Sequence, residues 1–127
     1  MVDFDLVAGA SDDFWYDHEF LVVRSQVERL SVREWGEFQR QCLLLRGESQ
    51  ERMAYVLGGV DTVASARVLL QLCKCEERDT VLTAREAARS LSFDSVKRAA
   101  LDLWPSVNGG TTNEILDWIA GAANRRQ

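Results

Sequence analysis

Apolar residues recur along this chain at steps of three and four positions, the spacing that places side chains on one face of an α-helix. A first, imperfect stripe over residues 13–30 contains Phe14, Leu21 and Val27. No stretch alternates apolar and polar residues for long enough to predict a strand. The pattern therefore predicts an all-α domain of about six or seven helices. The later stripes are Trp35, Phe38, Cys42 and Leu45; Met53, Val56, Leu57 and Val60; Val63, Ala66, Leu69 and Cys73; Val81, Ala84, Ala87, Ala88 and Leu91; Val96, Ala99, Ala100, Leu103 and Trp104; and Ile115, Leu116 and Ile119.

Capping residues and helix breakers indicate where these helices begin and end. Ser31 and Glu34 have the spacing of a capping box, in which each side chain binds the other residue's backbone N–H. The Gly58–Gly59 pair is typical of a helix end. Asp61 follows it and can cap the next helix. The predicted helices are therefore short and closely spaced.

Each helix has an apolar stripe on only one side, so it must pack against its neighbours. The pattern A-x-x-L-x-x-L, followed by R-E-A-A-x-S-L, looks like that of HEAT-type repeats. This resemblance implies antiparallel helical hairpins in a short α-solenoid, with residues 1–127 as a single helical-repeat domain. The matching positions are Ala66, Leu69 and Leu72, and then Arg85, Glu86, Ala87, Ala88 and Leu91.

Length and composition are those of a self-sufficient globular domain. The chain has 127 residues, of which 46% are hydrophobic, enough for one core. No apolar run approaches the roughly 20 residues that cross a bilayer, and the N-terminus lacks the basic start of a signal peptide. We therefore expect a cytoplasmic protein with no membrane partner. The odd number of cysteines, three, favours reduced thiols over a disulfide framework.

The net charge of −5 is concentrated at one end. Residues 1–19 contain six acidic and no basic residues, so the rest of the chain sums to about +1. Residues 1–12 are expected to be a flexible acidic segment. This acidity weakens the case for a nucleic-acid partner, because nucleic-acid binding relies on basic contacts to phosphates. An acidic patch would instead steer a basic protein partner.

Several short motifs together resemble the small helical immunity proteins of bacterial polymorphic toxin systems. They are an acidic aromatic first helix, L-S-x-x-E-W from Leu30 to Trp35, the segment from Glu51 that ends in L-G at Gly58, and D-T-V starting at Asp61. The resemblance implies a protein without catalytic activity or cofactor that binds a cognate toxin domain and blocks its active site. It would act as a monomer or homodimer.

The residues predicted to bind this partner are acidic and aromatic side chains of the first and third predicted helices. The acidic members would attract a basic toxin surface, and Trp15 and Tyr16 would be aromatic anchors, a residue class enriched in binding hot spots. The alternative for Trp15 is a place in the core. The full set is Asp12, Asp13, Trp15, Tyr16, Asp17, Glu19, Glu48, Glu51 and Tyr55.

The sequence contains no pattern that argues for catalysis or a metal site. Cys42, Cys73, Cys75 and the single histidine, His18, could in principle ligate zinc. However, Cys42 and Cys73 occupy core positions of different predicted helices, and two residues two apart on one helix diverge by about 200°. No nucleophile pairs with a base other than His18, and no glycine-rich phosphate loop follows a strand.

Two other functions remain open. Residues 82–98 resemble the L-T-x-x-E-A-A-x-x-L segment of excisionase-like helix-turn-helix regulators, which implies DNA contacts by Lys97 and Arg98, with Arg85 and Arg89 nearby. This segment carries a charge of only +2, and Ser92 stands where the turn glycine is usual. The other possibility is a HEAT-like adaptor or assembly subunit, because helical repeats bind many kinds of partner.

Overall fold

The computed structural model describes residues 2–107 and 110–124, with side chains described as far as Ile119. These residues contain helices and no strands, so the predicted all-α class is confirmed. None of the described helices has both the length and the apolar character needed to cross a membrane. The elements are α1 (Phe4–Gly9), α2 (Asp12–Phe14), a π-helical turn (Trp15–Glu19), α3 (Phe20–Glu28), α4 (Val32–Leu44), α5 (Gly47–Leu57), α6 (Val63–Leu72), α7 (Arg78–Ser90), α8 (Phe93–Leu103) and α9 (Thr112–Asn124).

The first predicted helix differs most from the prediction. A π-helical turn separates α2 from α3, and the N–H of Phe20 reaches back five residues to the carbonyl of Trp15. This extra residue per turn changes which side chains face inward. Phe14 and Leu21, predicted to lie in the apolar stripe, are therefore exposed, whereas Trp15 is fully buried together with Val23 and Val27.

Within residues 1–12, predicted to be a flexible acidic segment, the described part contains helix α1, and the flexibility stays a prediction. The Asp3 side chain caps this helix by accepting from the N–H of Leu6, and the N–H of Asp3 donates to Gln26 at 2.9 Å. Val7 is fully buried. The sequence pattern missed this six-residue helix because so short an element has too few turns to show a periodicity.

The helices form two rows. In one row α3 contacts α5, α5 contacts α7 and α7 contacts α9; in the other α4 contacts α6 and α6 contacts α8. Contacts between α4 and α5, α5 and α6, α6 and α7, and α8 and α9 join the rows. A helix thus packs against the second helix after it as well as against a neighbour in sequence. The HEAT-like superhelical stack remains a prediction.

The core is made of the apolar stripes of the central helices, as expected. Small residues allow α5 and α7 to approach closely at one point: a Cβ atom built on Gly58 would lie 2.9 Å from the Cβ of Ala87. Burial of these side chains is the main source of stability in such a domain. The largest fully buried side chains of the central and last helices are Met53, Leu57, Leu69, Leu70, Leu72, Ile115, Leu116 and Ile119.

Of the predicted caps, one is confirmed in full and one is wrong. Ser31 and Glu34 form both bonds of the capping box at the start of α4. Asp61 does not cap α6, because Thr62 accepts from the N–H of Ser65 instead. The Asp61 carboxylate lies beyond the helix end and accepts from the N–H and hydroxyl of Ser92, joining the α5–α6 and α7–α8 connections.

Candidate functional site

Acidic side chains from three parts of the chain line one surface concavity of about 460 Å³, which we call the acidic depression. Asp12 and Tyr16 come from α2 and the π-helical turn, and Glu48 and Glu51 come from the first turns of α5. The start of α7 supplies Glu77 and Asp79, and the backbone of Gly47 completes the lining. Five carboxyl groups therefore share one concave surface.

A backbone contact holds the beginnings of α5 and α7 side by side. The N–H of Gly47 donates to Oε1 of Glu77 at 3.1 Å. Gly47 has a φ of +53°, a left-handed conformation that glycine adopts without the steric cost of a Cβ atom. This turn aims the N–H at Glu77 and places Glu48 beside the acidic start of α7. The glycine thus helps to form the depression.

Arg52 lies beneath the depression and organises its N-terminal side. Its side chain is only 4% exposed. Nη1 donates to the backbone carbonyls of Val7 at 3.0 Å and Ala10 at 2.6 Å, and Nη2 contacts Asp12 Oδ1 at 2.8 Å and Glu48 Oε1 at 2.7 Å. One planar guanidinium thus fastens the end of α1, the start of α2 and the first turn of α5 together.

The two carboxyl groups held by Arg52 interact with each other. A hydrogen bond with Glu48, supported by one from Arg52, lowers the pKa of Asp12. The same contact raises the pKa of Glu48, because an ionised Asp12 beside it disfavours a second negative charge. Burial, and next the charge of Glu51, raise the pKa of Tyr16, so its phenol stays protonated and keeps a hydrogen-bond donor in the depression. Asp12 and Glu48 therefore repel each other when both are ionised, and three further carboxyl groups line the same depression.

Aromatic rings border the depression on the side of α3. The Tyr16 and Tyr55 rings meet edge to face with their centres 5.2 Å apart, and Phe20 meets Tyr55 in the same manner at 5.3 Å. Tyr16 and Tyr55 are each 43% exposed, so part of each ring faces solvent. Such half-exposed tyrosines offer both apolar area and a hydroxyl to a partner.

The structure brings together about half of the residues predicted to bind a partner. Asp12, Tyr16, Glu48 and Glu51 line the depression, and Tyr55 borders it through its contact with Tyr16. These side chains were predicted from two separate segments, and the Arg52 contacts are what unite the segments.

The other predicted residues do not line the depression. Asp13 and Asp17 are exposed elsewhere, because successive residues of a helix are rotated by about 100°. Glu19 lines a different concavity with Phe14. The prediction that Trp15 is an aromatic anchor for a partner is wrong, because its side chain is fully buried under the guanidinium of Arg52.

Glu77, Asp79 and Arg52 are the residues of this region that sequence reasoning missed. The run Glu76, Glu77 and Asp79 could have suggested an acidic helix start, but not that α7 begins beside α5. No pattern in the sequence indicates that Arg52 is buried, because an arginine in a helix is usually solvent-exposed.

The cysteines occupy the sites expected of thiols in a core. Cys42 and Cys73 are buried and Cys75 is half-buried. Burial raises the pKa of the Cys73 thiol to about 12 and raises that of Cys42 further. In the described part of the chain, no three His, Cys, Asp or Glu side chains form a group that could hold a metal ion.

Three of the four basic residues of the helix-turn-helix alternative have polar partners within the protein, and the fourth, Lys97, lies over the Phe93 ring at 5.8 Å. Arg85 contacts Asp117 at 2.9 Å, and Arg89 donates to Asn113 at 3.1 Å and contacts Glu86 at 3.3 Å. Arg98 contacts Asp94 at 3.2 Å. These pairings reduce the positive charge that this segment presents.

Compared with protein-family models, with curated proteins and with solved structures, the chain has no match.

Proposed function

We propose that this protein is an immunity-type binding protein, which neutralises a toxin domain by holding a basic surface of that domain in the acidic depression. The observation that carries the proposal is the convergence of five carboxyl groups from α2, α5 and the start of α7 on one concave surface. Inhibition would occur by occlusion of the toxin's active site, in the cytoplasm, without catalysis by this chain.

The charge of the depression suits a partner rich in lysine and arginine. Asp12, Glu48, Glu51, Glu77 and Asp79 together create a local negative field, and the net charge of the whole chain has the same sign. Complementary fields accelerate the encounter of two proteins and fix their relative orientation. Enzymes that act on nucleic acids carry basic substrate-binding surfaces, so a toxin nuclease is the partner class that this charge fits best.

The rigidity of the surface also supports binding. Arg52 fixes Asp12 and Glu48 through contacts of 2.8 and 2.7 Å, so these two carboxylates lose little freedom when a partner arrives. A preorganised surface binds more tightly because less conformational entropy is lost. Tyr16 and Tyr55 supply adjacent aromatic area, which is enriched in interface hot spots.

A pull-down from the native host tests the proposal. The tagged full chain would be recovered and its bound polypeptides identified by mass spectrometry. We expect a toxin-domain protein with a basic surface in near-equal amount, whose toxicity is suppressed when the two are produced together. Recovery of DNA, or of a complex that contains no toxin, would contradict the immunity proposal and favour the regulator or the adaptor, respectively.

A further inference from the structure

A second and larger concavity, of about 710 Å³, lies on the other side of Tyr55. We call it the apolar groove. Its lining comes from Phe20 and Arg24 of α3, from Tyr55 and the two glycines at the end of α5, and from one side of α7. The volume falls within the range of about 300–1,000 Å³ found for small-molecule sites.

Two residues without side chains, Gly58 and Gly59 at the end of α5, form part of the groove wall. A Cβ atom on Gly58 would lie 2.9 Å from the Cβ of Ala87, and one on Gly59 would lie 2.9 Å from Cδ of Arg24. Helix α7 and the Arg24 side chain therefore lie directly against the glycine backbone. No side chain from these two positions fills the space between α3 and α7.

Apolar side chains and cationic side chains meet in this groove. Phe20, Tyr55 and the 54% exposed Leu82 give it apolar walls. Among the described residues, three arginines and one acidic residue, Glu86, belong to the lining, and Arg85 and Arg89 are paired with Asp117 and Glu86. The combination is unusual on a chain whose net charge is −5. The charged lining residues are Arg24, Arg85 and Arg89, which are positive, and Glu86, which is negative.

The three arginines are not equally engaged. Arg85 and Arg89 have partners at 2.9 to 3.3 Å on α7 and α9. Arg24 has a looser contact, with its Nε 3.7 Å from Glu28, and among the described residues its Nη atoms have no hydrogen-bond partner. The guanidinium of Arg24 is therefore available to a ligand, and the aliphatic part of its side chain lies across Gly59 in the groove.

We propose that the apolar groove binds an amphipathic carboxylate of low molecular mass, with its apolar chain or ring against Phe20, Tyr55 and Leu82 and its carboxylate on Arg24. Guanidinium groups bind carboxylates in a bidentate manner, which fixes the head group. The Nη atoms of Arg24, which have no hydrogen-bond partner among the described residues, favour an anion over a neutral or cationic ligand. The overall acidity of the chain disfavours a polyanion. This proposal is independent of toxin binding.

Titration of the full chain with octanoate, followed by ¹H–¹⁵N NMR, tests the proposal. We expect the amide signals of Gly58 and Gly59 to shift in a saturable manner. Octylammonium should leave them unchanged, and 1-octanol should bind at least about tenfold more weakly, since it lacks a charge-assisted bond to Arg24. No saturable shift with octanoate, or shifts located away from the groove, would overturn the proposal.

Two matched pairs of variants separate the head-group contact from the apolar contact. Arg24→Gln should weaken octanoate binding about tenfold, while Arg40→Gln, which alters an exposed arginine of α4, should not. Leu82→Glu should abolish binding by placing a negative charge in the groove, while Leu101→Glu on α8 should not. Both leucines are partly exposed, so both variants should fold, as circular dichroism would verify. Equal octanoate affinity of Arg24→Gln and the wild type, or of octanoate and 1-octanol, would contradict the role of Arg24.

Discussion

The guanidinium carbon of Arg52 lies 5.4 Å from the centre of the Trp15 ring, and both side chains are buried. The ring covers one side of the cation, while the Nη atoms bond to two backbone carbonyls and two carboxylates. A cation over an indole face is stabilised by the ring quadrupole, and more so when water is excluded. This pair connects the N-terminal helices to α5 and supports the acidic depression from below.

Replacing Arg52 should therefore loosen the N-terminal helices. Arg52→Met keeps much of the apolar stem but leaves the carbonyls of Val7 and Ala10 without their donor. We expect the free energy of unfolding to fall by about 2–4 kcal/mol, since charged hydrogen bonds to buried groups are lost. Arg40→Met, which removes an exposed arginine, should change it by less than about 0.5 kcal/mol. Urea unfolding would measure both, and equal effects would show that Arg52 does not join the segments.

The two glycines Gly58 and Gly36 should respond to alanine in opposite directions. Gly58→Ala places a Cβ 2.9 Å from the Cβ of Ala87, and we expect a loss of about 1–3 kcal/mol from overpacking. Gly36 lies within α4 with nothing near its missing Cβ, so Gly36→Ala should add about 0.5–1 kcal/mol. Thermal unfolding of the single variants would test both signs.

A double variant locates the cause of the Gly58 effect. Ala87→Gly removes the nearest atom that the new Cβ would meet and leaves the Cα of residue 87 at 3.1 Å, so Gly58→Ala should cost less in that background. If the cost of Gly58→Ala is the same with and without Ala87→Gly, the close approach of α5 and α7 is not the reason.

Asp61 should make stability depend on pH. Its hydrogen bond from the Ser92 backbone lowers the pKa of its carboxyl below the ordinary value of 3.8. The ionised form is thus favoured in the folded state, and its contribution is complete above 3.8 and is lost as the pH falls through the folded-state pKa. Asp61→Asn should be less stable than the wild type at neutral pH, and the difference should shrink as the pH falls from 3.8 through the folded-state pKa of Asp61. A difference that is constant with pH would contradict this assignment.

The three thiols should react at different rates with an alkylating reagent. Cys75 is half-buried, whereas Cys42 and Cys73 are buried and have strongly raised pKa values, so little of either is the reactive thiolate. We expect one thiol to be labelled in the native protein and three in denaturant, as mass spectrometry would show. Cys75→Ser should remove the native labelling. Labelling of Cys42 in the native protein would contradict its core position.

Much of the fold follows from local rules. The stripes of α4 to α8 predict the buried faces, because burial in these helices follows the helical period. The capping box of Ser31 and Glu34 predicts the start of α4, because this motif depends only on two residues three positions apart. The prediction of the first helix is wrong in its buried face, because the π-helical turn at Trp15–Glu19 adds a residue that a period of about 3.6 does not anticipate.

The candidate site was predictable only in part. The acidic character of Asp12, Glu48 and Glu51 is visible in the sequence, but their meeting depends on Arg52, whose partners are up to 45 residues away in the chain. The participation of Glu77 depends in the same way on the N–H of Gly47. Long-range contacts of this kind have no periodic signature. Asp61 is another example. It was predicted to cap α6, but its carboxylate accepts from the N–H of Ser92, which lies 31 residues away in the chain.

The most direct test of the acidic depression measures how two charge-reversal variants change the affinity for the partner recovered from the host. Asp79 and Asp94 are both exposed and both occupy the second position of their helices, so Asp79→Lys and Asp94→Lys should carry a similar cost at the helix start, and Asp94→Lys also loses an exposed ion pair with Arg98. Only Asp79 lines the depression. By isothermal titration calorimetry, Asp79→Lys should weaken binding by about tenfold or more, while Asp94→Lys should match the wild type. Equal affinities for both variants would contradict the central claim that the acidic depression holds the partner.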